Sequence, residues 1–265
     1  MSEYSEIRKL AEKLIVKAGK EIIRQRASAS ITIYKDRQDI CTTADLAAEQ
    51  IIITGIQAKF PDHQIQSEES GLIGSKANYK WIIDPLDGTK EFIRGIPQFN
   101  SSIAIEKNGT LIASAVYRPT DQSLYSASLG EGAFLNHQPI HVSSTTTLAD
   151  SFIYCYLPSY KRNPQRYDVA WDKLGIFGRN VYRLRSLADE NVGLCWLAQG
   201  GHEAYLNLSN TPKWHDVAPG LLIAQEAGAY IDNNLIKSLQ VGSDISIIVT
   251  NNATIHKEIQ NILEI

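Results

Sequence analysis

The run Trp81-Ile82-Ile83-Asp84-Pro85-Leu86-Asp87-Gly88-Thr89 constrains this chain more than any other segment. An apolar strand opens it, and Pro85 interrupts regular pairing, because proline brings no N–H to a ladder and is tolerated in a sheet only at an edge or a bulge. The break lets Asp84 and Asp87 point into one cavity and turns the Leu86 carbonyl inward with them. Oxygen-only ligands of this kind suit magnesium. Gly88 and Thr89 then open a helix whose first N–H groups make an anion site. A hard cation beside an anion cradle points to phosphate chemistry.

An Asp-x-x-Asp turn is common, so its weight depends on further ligands. Upstream, residues 61–66 read as a loop feeding a short strand that runs into Ser67-Glu68-Glu69-Ser70. Downstream, Trp214-His215-Asp216-Val217-Ala218-Pro219-Gly220 sets Asp216 at the N-cap of an apolar helix, with Pro219 in its first turn, where a missing N–H costs little. Taken singly, Glu68 and Glu69 read as a solvated pair and Asp216 as a helix cap. Asp45 likewise reads as the N-cap of a helix from Leu46 to Ile56.

Taken together, these segments resemble the inositol monophosphatase superfamily. Its signatures are a Glu-Glu pair, Asp-Pro-(Ile/Leu)-Asp-Gly-Thr and a late Trp-Asp-x-Ala-(Ala/Gly)-Gly, and they match in order and spacing over nearly the whole chain. The resemblance implies an α+β and α/β chain in a layered α-β-α-β-α sandwich, acting as a magnesium-dependent phosphomonoesterase. By position it places Glu68, Asp84 and the Leu86 carbonyl around one magnesium, and Asp84, Asp87 and Asp216 around a second. Glu69 is an outer or third-ion candidate. Thr43-Ala44-Asp45 looks like the family's Thr-Ala-Asp element, so Asp45 and Thr89 would orient the attacking water, with Glu68 beside them as a catalytic candidate. Glu68, Leu86, Asp87, Gly88, Thr89 and Asp216 would face the substrate, a small phosphate ester. Inhibition by lithium is implied as well. One departure stands out: the family sets Trp directly before the metal-binding Asp, whereas His215 intervenes here, as a packing or hydrogen-bonding residue or as a contact to phosphate.

Lys90-Glu91-Phe92 resembles the 3′(2′),5′-bisphosphate nucleotidase (CysQ-like) branch, and Asn207 stands where inositol phosphatases tend to carry an inositol-reading Glu. Against that branch, its Gly-Ser-Ser-Leu-Lys is replaced by a stretch beginning Asp189-Glu190-Asn191; Arg183 or Arg185 would have to supply the lost cation. The leading expectation is hydrolysis of adenosine 3′,5′-bisphosphate to AMP and phosphate. The alternative is an inositol-1-phosphate or other sugar-phosphate phosphatase, and the different-class rival is a non-catalytic phosphate-ligand binder.

With 265 residues, 43% of them hydrophobic, the chain can bury a full core. A net charge of −3 favours neither nucleic acid nor anionic membrane as a partner, and the basic clusters at Lys161-Arg162-Asn163 and at 179–185 read as solvated faces. Cys41, Cys155 and Cys195 have no ligand spacing and fit a reducing compartment. No apolar stretch approaches membrane-spanning length, so a cytoplasmic protein without integral membrane association is expected, with a homodimer admissible. His137 and His141, separated by Pro139, read as a loop pair rather than a zinc site.

Apolar residues at helical spacing predict a core-facing helix over Glu6 to Arg24 and another over Leu46 to Ala58. Strand-like runs at 81–83, 101–105, 111–117 and 123–127 predict an antiparallel sheet. From about Leu148 strands alternate with helices: strands at 151–157, 180–184 and 203–208, helices at 167–177, 190–198 and 217–226. Residues 1–147 and 148–265 are therefore expected to form two packed halves, with Asp216 reaching across to the acidic cluster of the first.

Overall fold

The computed structural model describes residues 2–34, 40–161, 163–187, 189–208, 212–232, 234–241 and 246–264. Arg162 of the basic cluster lies outside them. Helices α1 (Glu3–Gln25) and α2 (Thr43–Lys59) bracket a short antiparallel pair, β1 (Ile31–Tyr34) and β2 (Ile40–Thr42). Next come β3 (Gln64–Ser67), β4 (Gly71–Ile73), β5 (Tyr79–Asp87), the one-turn helix α3 (Thr89–Ile93), β6 (Asn100–Lys107), β7 (Thr110–Arg118), β8 (Ser123–Ser128), β9 (Gly132–Leu135) and β10 (Gln138–Ile140). These eight strands form one sheet in the order β10-β9-β8-β7-β6-β5-β3-β4. It is mixed rather than purely antiparallel, since β3 runs parallel to β5.

The rest of the chain comprises β11 (Phe152–Tyr156), α4 (Pro164–Asn180), β12 (Arg183–Arg185), α5 (Glu190–Ala198), β13 (Ala204–Asn207), α6 (Trp214–Glu226), β14 (Tyr230–Ile231), α7 (Leu235–Gln240), β15 (Ile247–Thr250) and α8 (Ala253–Leu263). Its five-stranded sheet has the order β12-β11-β13-β15-β14. The strand expected over 180–184 is shorter and later, because α4 runs on to Asn180.

Side-chain alternation along the strands explains the layering. On β5, Trp81 and Ile83 face Ile7, Ile15 and Ile22 of α1 and Ile52 and Ile56 of α2. Ile82, pointing the other way, joins Ala104, Val116 and Tyr125 against Cys195 and Ala198 of α5 and Ala218, Leu222 and Ile223 of α6. The opposite sides of α5 and α6 pack through Leu194, Leu197, Val217 and Leu221 onto Tyr154, Tyr205 and Val249 of the second sheet. Leu174 and Phe177 of α4 and Ile255 and Ile259 of α8 cover its outer face. The result is an α-β-α-β-α sandwich in which α5 and α6 are the shared middle layer. Both are apolar nearly all round, as helices buried between two sheets must be.

The amphipathic stripe of α1 is core-facing, as expected. Its start at Glu3 rather than Glu6 follows from Ser2, whose side chain accepts from Ser5 N–H at 3.1 Å. All three cysteines are buried and free, and burial pushes the thiols of Cys41 and Cys155 up to about 12 and about 11. His137 sits in the turn between β9 and β10, so it shares no helical face with His141. Among the described residues, no helix is long and apolar enough to cross a membrane.

Candidate functional site

On the β5–β6 ladder, Asp84 pairs with Ser102 and Asp87 with Asn100. Between those pairs β5 advances three residues while β6 advances two, a one-residue bulge at Pro85-Leu86. In an unbroken strand, residues three apart point to opposite faces. The bulge returns Asp87 to the face of Asp84, which is the face of Ile82 and hence the one covered by α5 and α6. Asp84 is buried, and its Oδ1 accepts from Leu86 N–H at 3.1 Å; Asp87 Oδ2 accepts from Asn100 Nδ2 at 2.8 Å. Gly88 turns the chain at φ +84°, and a Cβ there would lie 2.7 Å from the Gln98 carbonyl oxygen, so only glycine fits. The helix that follows spans only five residues and carries little macrodipole. The expected anion cradle is thus reduced to individual N–H groups.

Asp45 is not the N-cap of α2. Thr42 is the cap, and Asp45 is the third helical residue, whose Oδ2 accepts from the N–H of Thr42 at 2.9 Å and from its hydroxyl. That box leaves Oδ1 directed at Thr89, whose Oγ1 lies 3.1 Å from it and 2.9 Å from the Leu86 carbonyl oxygen. Asp45 therefore serves the helix with one oxygen and the site with the other. Burial, with the charge of Glu69 adding to it, pushes Asp45 up to about 6.

Asp216 shows the same pattern. Helix α6 begins at Trp214, so Asp216 is not its N-cap but its third residue, with Oδ2 accepting from Lys213 N–H at 2.9 Å. His215 Nε2 lies 3.3 Å from Asp216 Oδ1. Across the cleft, Lys213 Nζ is 3.3 Å from Glu68 Oε1. Glu68, Asp84 and His215 each present one ligand atom, all within 4.8 Å of one another. The sequence-based grouping differs, with Asp87 and Asp216 in place of His215.

Electrostatics ties the remaining carboxylates to this group. Burial holds Asp84 well above the ordinary carboxylate range, and the charges of Glu68, Asp87, Asp216 and Asp45 raise it further. Asp87 is raised by burial and by Asp189 and Asp216; Asp216 is raised by burial, with His215 and Lys213 opposing and Glu68 adding. So many buried carboxylates repel one another unless a cation shares the space. His215 Nε2 is a second sign: it is buried, makes no hydrogen bond among the described residues, and faces Glu68, Asp84 and Asp216. The donor set fits a divalent metal ion.

Pro219 falls in the second turn of α6 rather than the first, where an interior proline costs roughly 3 kcal/mol. The N–H it lacks is the one that would serve the His215 carbonyl four residues back. Asn191 of α5, fully buried, fills the gap: its Nδ2 donates to the His215 carbonyl at 3.1 Å, and its Oδ1 accepts from Gly220 N–H at 2.9 Å. The reach is short because α5 and α6 nearly touch there; a Cβ on Gly220 would sit 3.1 Å from Asn191 Cα. Asn191→Ala is expected to destabilise the metal-free protein by about 2–3 kcal/mol, since two buried backbone groups lose partners. In a Pro219→Ala background, where residue 219 again carries an N–H, the loss should shrink by about 1 kcal/mol or more. Urea unfolding of the four proteins measures this, and equal losses in both backgrounds would show that Asn191 does not compensate for Pro219.

Sequence reasoning gives no site role to Lys213, Asp189 or Glu190, although each adjoins a segment it does single out. Asp189 is pushed up to about 7 by burial and by Glu91 and Asp216, with Lys90 opposing. Glu190 Oε1 accepts from Asn207 Nδ2 at 3.1 Å. Phe92, by contrast, is a core residue packed edge-to-face on Phe99 at 5.2 Å between ring centroids. Arg183 and Arg185 lie exposed on β12 and form no ion pair with a site carboxylate among the described residues.

Known proteins resemble this chain in sequence and fold over nearly its whole length. The inositol monophosphatase family pattern matches residues 3–264. The Nus factor SuhB of Vibrio cholerae is 35% identical over 219 residues, covering 81% of this chain and 80% of that protein. The inositol-1-monophosphatase of Mesorhizobium japonicum is 31% identical over 224 residues, covering 82% of each. The crystal structure of the extragenic suppressor protein suhB from Bartonella henselae superposes with a TM-score of 0.87 at 26% identity, covering 98% of each chain. A shared sandwich, a sequence match running from α1 to α8 and an acidic cluster at the bulged strand end lead to one conclusion: this chain belongs to the inositol monophosphatase family.

Proposed function

We propose that this protein is a metal-dependent phosphomonoesterase whose substrate is a polyol monophosphate of the inositol-1-phosphate kind. The family is metal-dependent, typically on magnesium, and the acidic cluster supports that chemistry here. The observation that carries the substrate reading is the acidic wall beside the cluster. Asp189 and Glu190 are close enough to Asp87 to raise it, and Glu91 and Asp216 raise Asp189 in turn, with Lys90 and a backbone hydrogen bond in opposition. A second phosphate would bring further negative charge to a wall of carboxylates, whereas sugar hydroxyls can donate hydrogen bonds to them. Asn207, standing where an inositol-reading Glu is usual, holds the Glu190 carboxylate. The bisphosphate nucleotidase reading rested on Lys90-Glu91-Phe92 and on Asn207; the core packing of Phe92 and the exposure of Arg183 and Arg185 weaken it.

In this reading, Glu68, Asp84 and the Leu86 carbonyl would hold one ion, and Asp84, Asp87 and Asp216 a second, with Glu69 a candidate for a third. When bound, magnesium supplies Lewis acidity toward water and the phosphoryl oxygens. Thr89 Oγ1 passes its proton toward Asp45 Oδ1 and takes one from the attacking water, which lies in line with the departing ester oxygen. Thr42 fixes the other carboxylate oxygen and keeps the relay aligned. The carboxylate wall orients the sugar. Lithium sensitivity belongs to the same proposal, as does the division into halves 1–147 and 148–265 building one catalytic unit.

Initial rates at fixed magnesium test it. Inositol-1-phosphate should exceed adenosine 3′,5′-bisphosphate in kcat/KM by about tenfold or more, because a site that pairs its polar groups with one substrate rejects another lacking those groups. The reverse preference would return the protein to the nucleotidase branch, and hydrolysis of neither these esters nor any other sugar phosphate would leave a phosphate-ligand binder.

A further inference from the structure

His215 stands where the family carries tryptophan, and its surroundings give it more than a packing role. Its Nε2 is buried, lies 3.3 Å from Asp216 Oδ1 and within 4.8 Å of ligand oxygens of both Glu68 and Asp84, and makes no hydrogen bond among the described residues, so three carboxylates converge on it. Its backbone is held independently of any ion. The carbonyl accepts from Asn191 Nδ2 at 3.1 Å, and the same Nδ2 donates to Ser102 Oγ at 3.1 Å on β6, the residue paired with Asp84 across the ladder. One buried amide thus ties the His215 peptide to the strand pair that presents Asp84. The clamp sets the imidazole over the cluster without using either ring nitrogen.

We infer that His215 Nε2 is a metal ligand, which makes this centre a mixed nitrogen and carboxylate site that favours a transition-metal dication such as manganese over magnesium. The chemical ground is ligand softness. Magnesium prefers oxygen and gives up water reluctantly, whereas neutral imidazole suits the first-row transition metals. For Nε2 to coordinate, its lone pair must face the ion, so the ring proton sits on Nδ1. Glu68 remains in the set: its 3.3 Å contact with Lys213 Nζ is a half-exposed ion pair that a dication would outcompete. This inference rests on reading the cluster as the metal centre of the phosphatase.

The test uses the whole protein and manganese as probe. Pulsed electron paramagnetic resonance of the manganese-loaded parent should show a directly bound nitrogen, and His215→Gln should lose that signal. In parallel calorimetry, His215→Gln should weaken manganese binding by about tenfold or more, as loss of a ligand or of its support generally does, while magnesium binding shifts by less than about threefold. Manganese bound to the parent without nitrogen coupling overturns the proposal and leaves the phosphatase reading standing. Equal losses for the two ions overturn it as well. A parent that binds neither ion overturns the metal-centre reading itself. Should the variant fail to fold, the parent's nitrogen signal decides alone.

Discussion

Asp84→Asn is expected to lower phosphatase activity by at least about a thousandfold while making the metal-free protein more stable. The two effects share a cause. Asp84 is a buried carboxylate, raised by burial and by the charges of Glu68, Asp87, Asp216 and Asp45. If Asp84 holds both ions as proposed, a neutral amide there would lose the charge and the shared contact together, so the expected catalytic loss is large. Without metal, the ionised group sits in low dielectric among like charges, and Asn removes that cost while its oxygen still accepts from Leu86 N–H.

The sign with pH follows from the raised carboxyl. An acid whose folded pKa lies above its unfolded value contributes stability that is full below the unfolded value and is lost as pH rises through the folded one. The advantage of Asp84→Asn in chelator should therefore be largest near pH 8, roughly 3 °C or more in Tm, and should vanish toward pH 4. Saturating magnesium should reverse the order at pH 8 by stabilising the parent alone. Thermal scans with and without chelator at both pH values measure this. A variant less stable than the parent in chelator at pH 8 would mean that the cluster is not strained by its own charge.

Thr89→Ala and Asp45→Asn should each lower kcat by on the order of a hundredfold or more, with a smaller change in KM, and the double variant should be little worse than either single one. The ground is the 3.1 Å contact between Thr89 Oγ1 and Asp45 Oδ1. A proton relay needs both members, so removing one already forfeits the gain. Asp45→Asn should also cost about 1 kcal/mol of stability, because Oδ2 belongs to the capping box of α2. Thr89→Ala should spare that term. Multiplicative losses in kcat would show that the two groups act separately, and an unchanged kcat for Asp45→Asn would show that Asp45 serves the helix alone.

The clustered carboxylates were legible as candidates because each lies within a short motif whose backbone consequence is local. Pro85 between Asp84 and Asp87 forces a bulge wherever that strand pairs, and Gly88 admits a turn that other residues would resist. Core-facing helices were legible from their periodicity, and the residues capping them shifted only the starts, to Glu3, Thr43 and Trp214. Elements after Glu226 were not anticipated. β14, β15 and the helices beside them are short, and the four-residue run of β15 becomes a strand only by pairing with β13 and β14.

What the sequence determined by itself was the fold class, the acidic residues at the bulged strand end and the family, since these depend on propensity, spacing and signature residues close together in the chain. Tertiary structure alone decided which groups share the site. His215 faces Glu68, Asp84 and Asp216, the charges of Asp189 and Glu190 act on Asp87, and Asn191 completes a helix that Pro219 interrupts, each through segments that the fold brings together. Lys90-Glu91-Phe92 looked like a mark of substrate, yet Phe92 turned into the core. Spacing along a chain predicts which face a residue takes on its own element, but what covers that face is set by how α5 and α6 pack between two sheets.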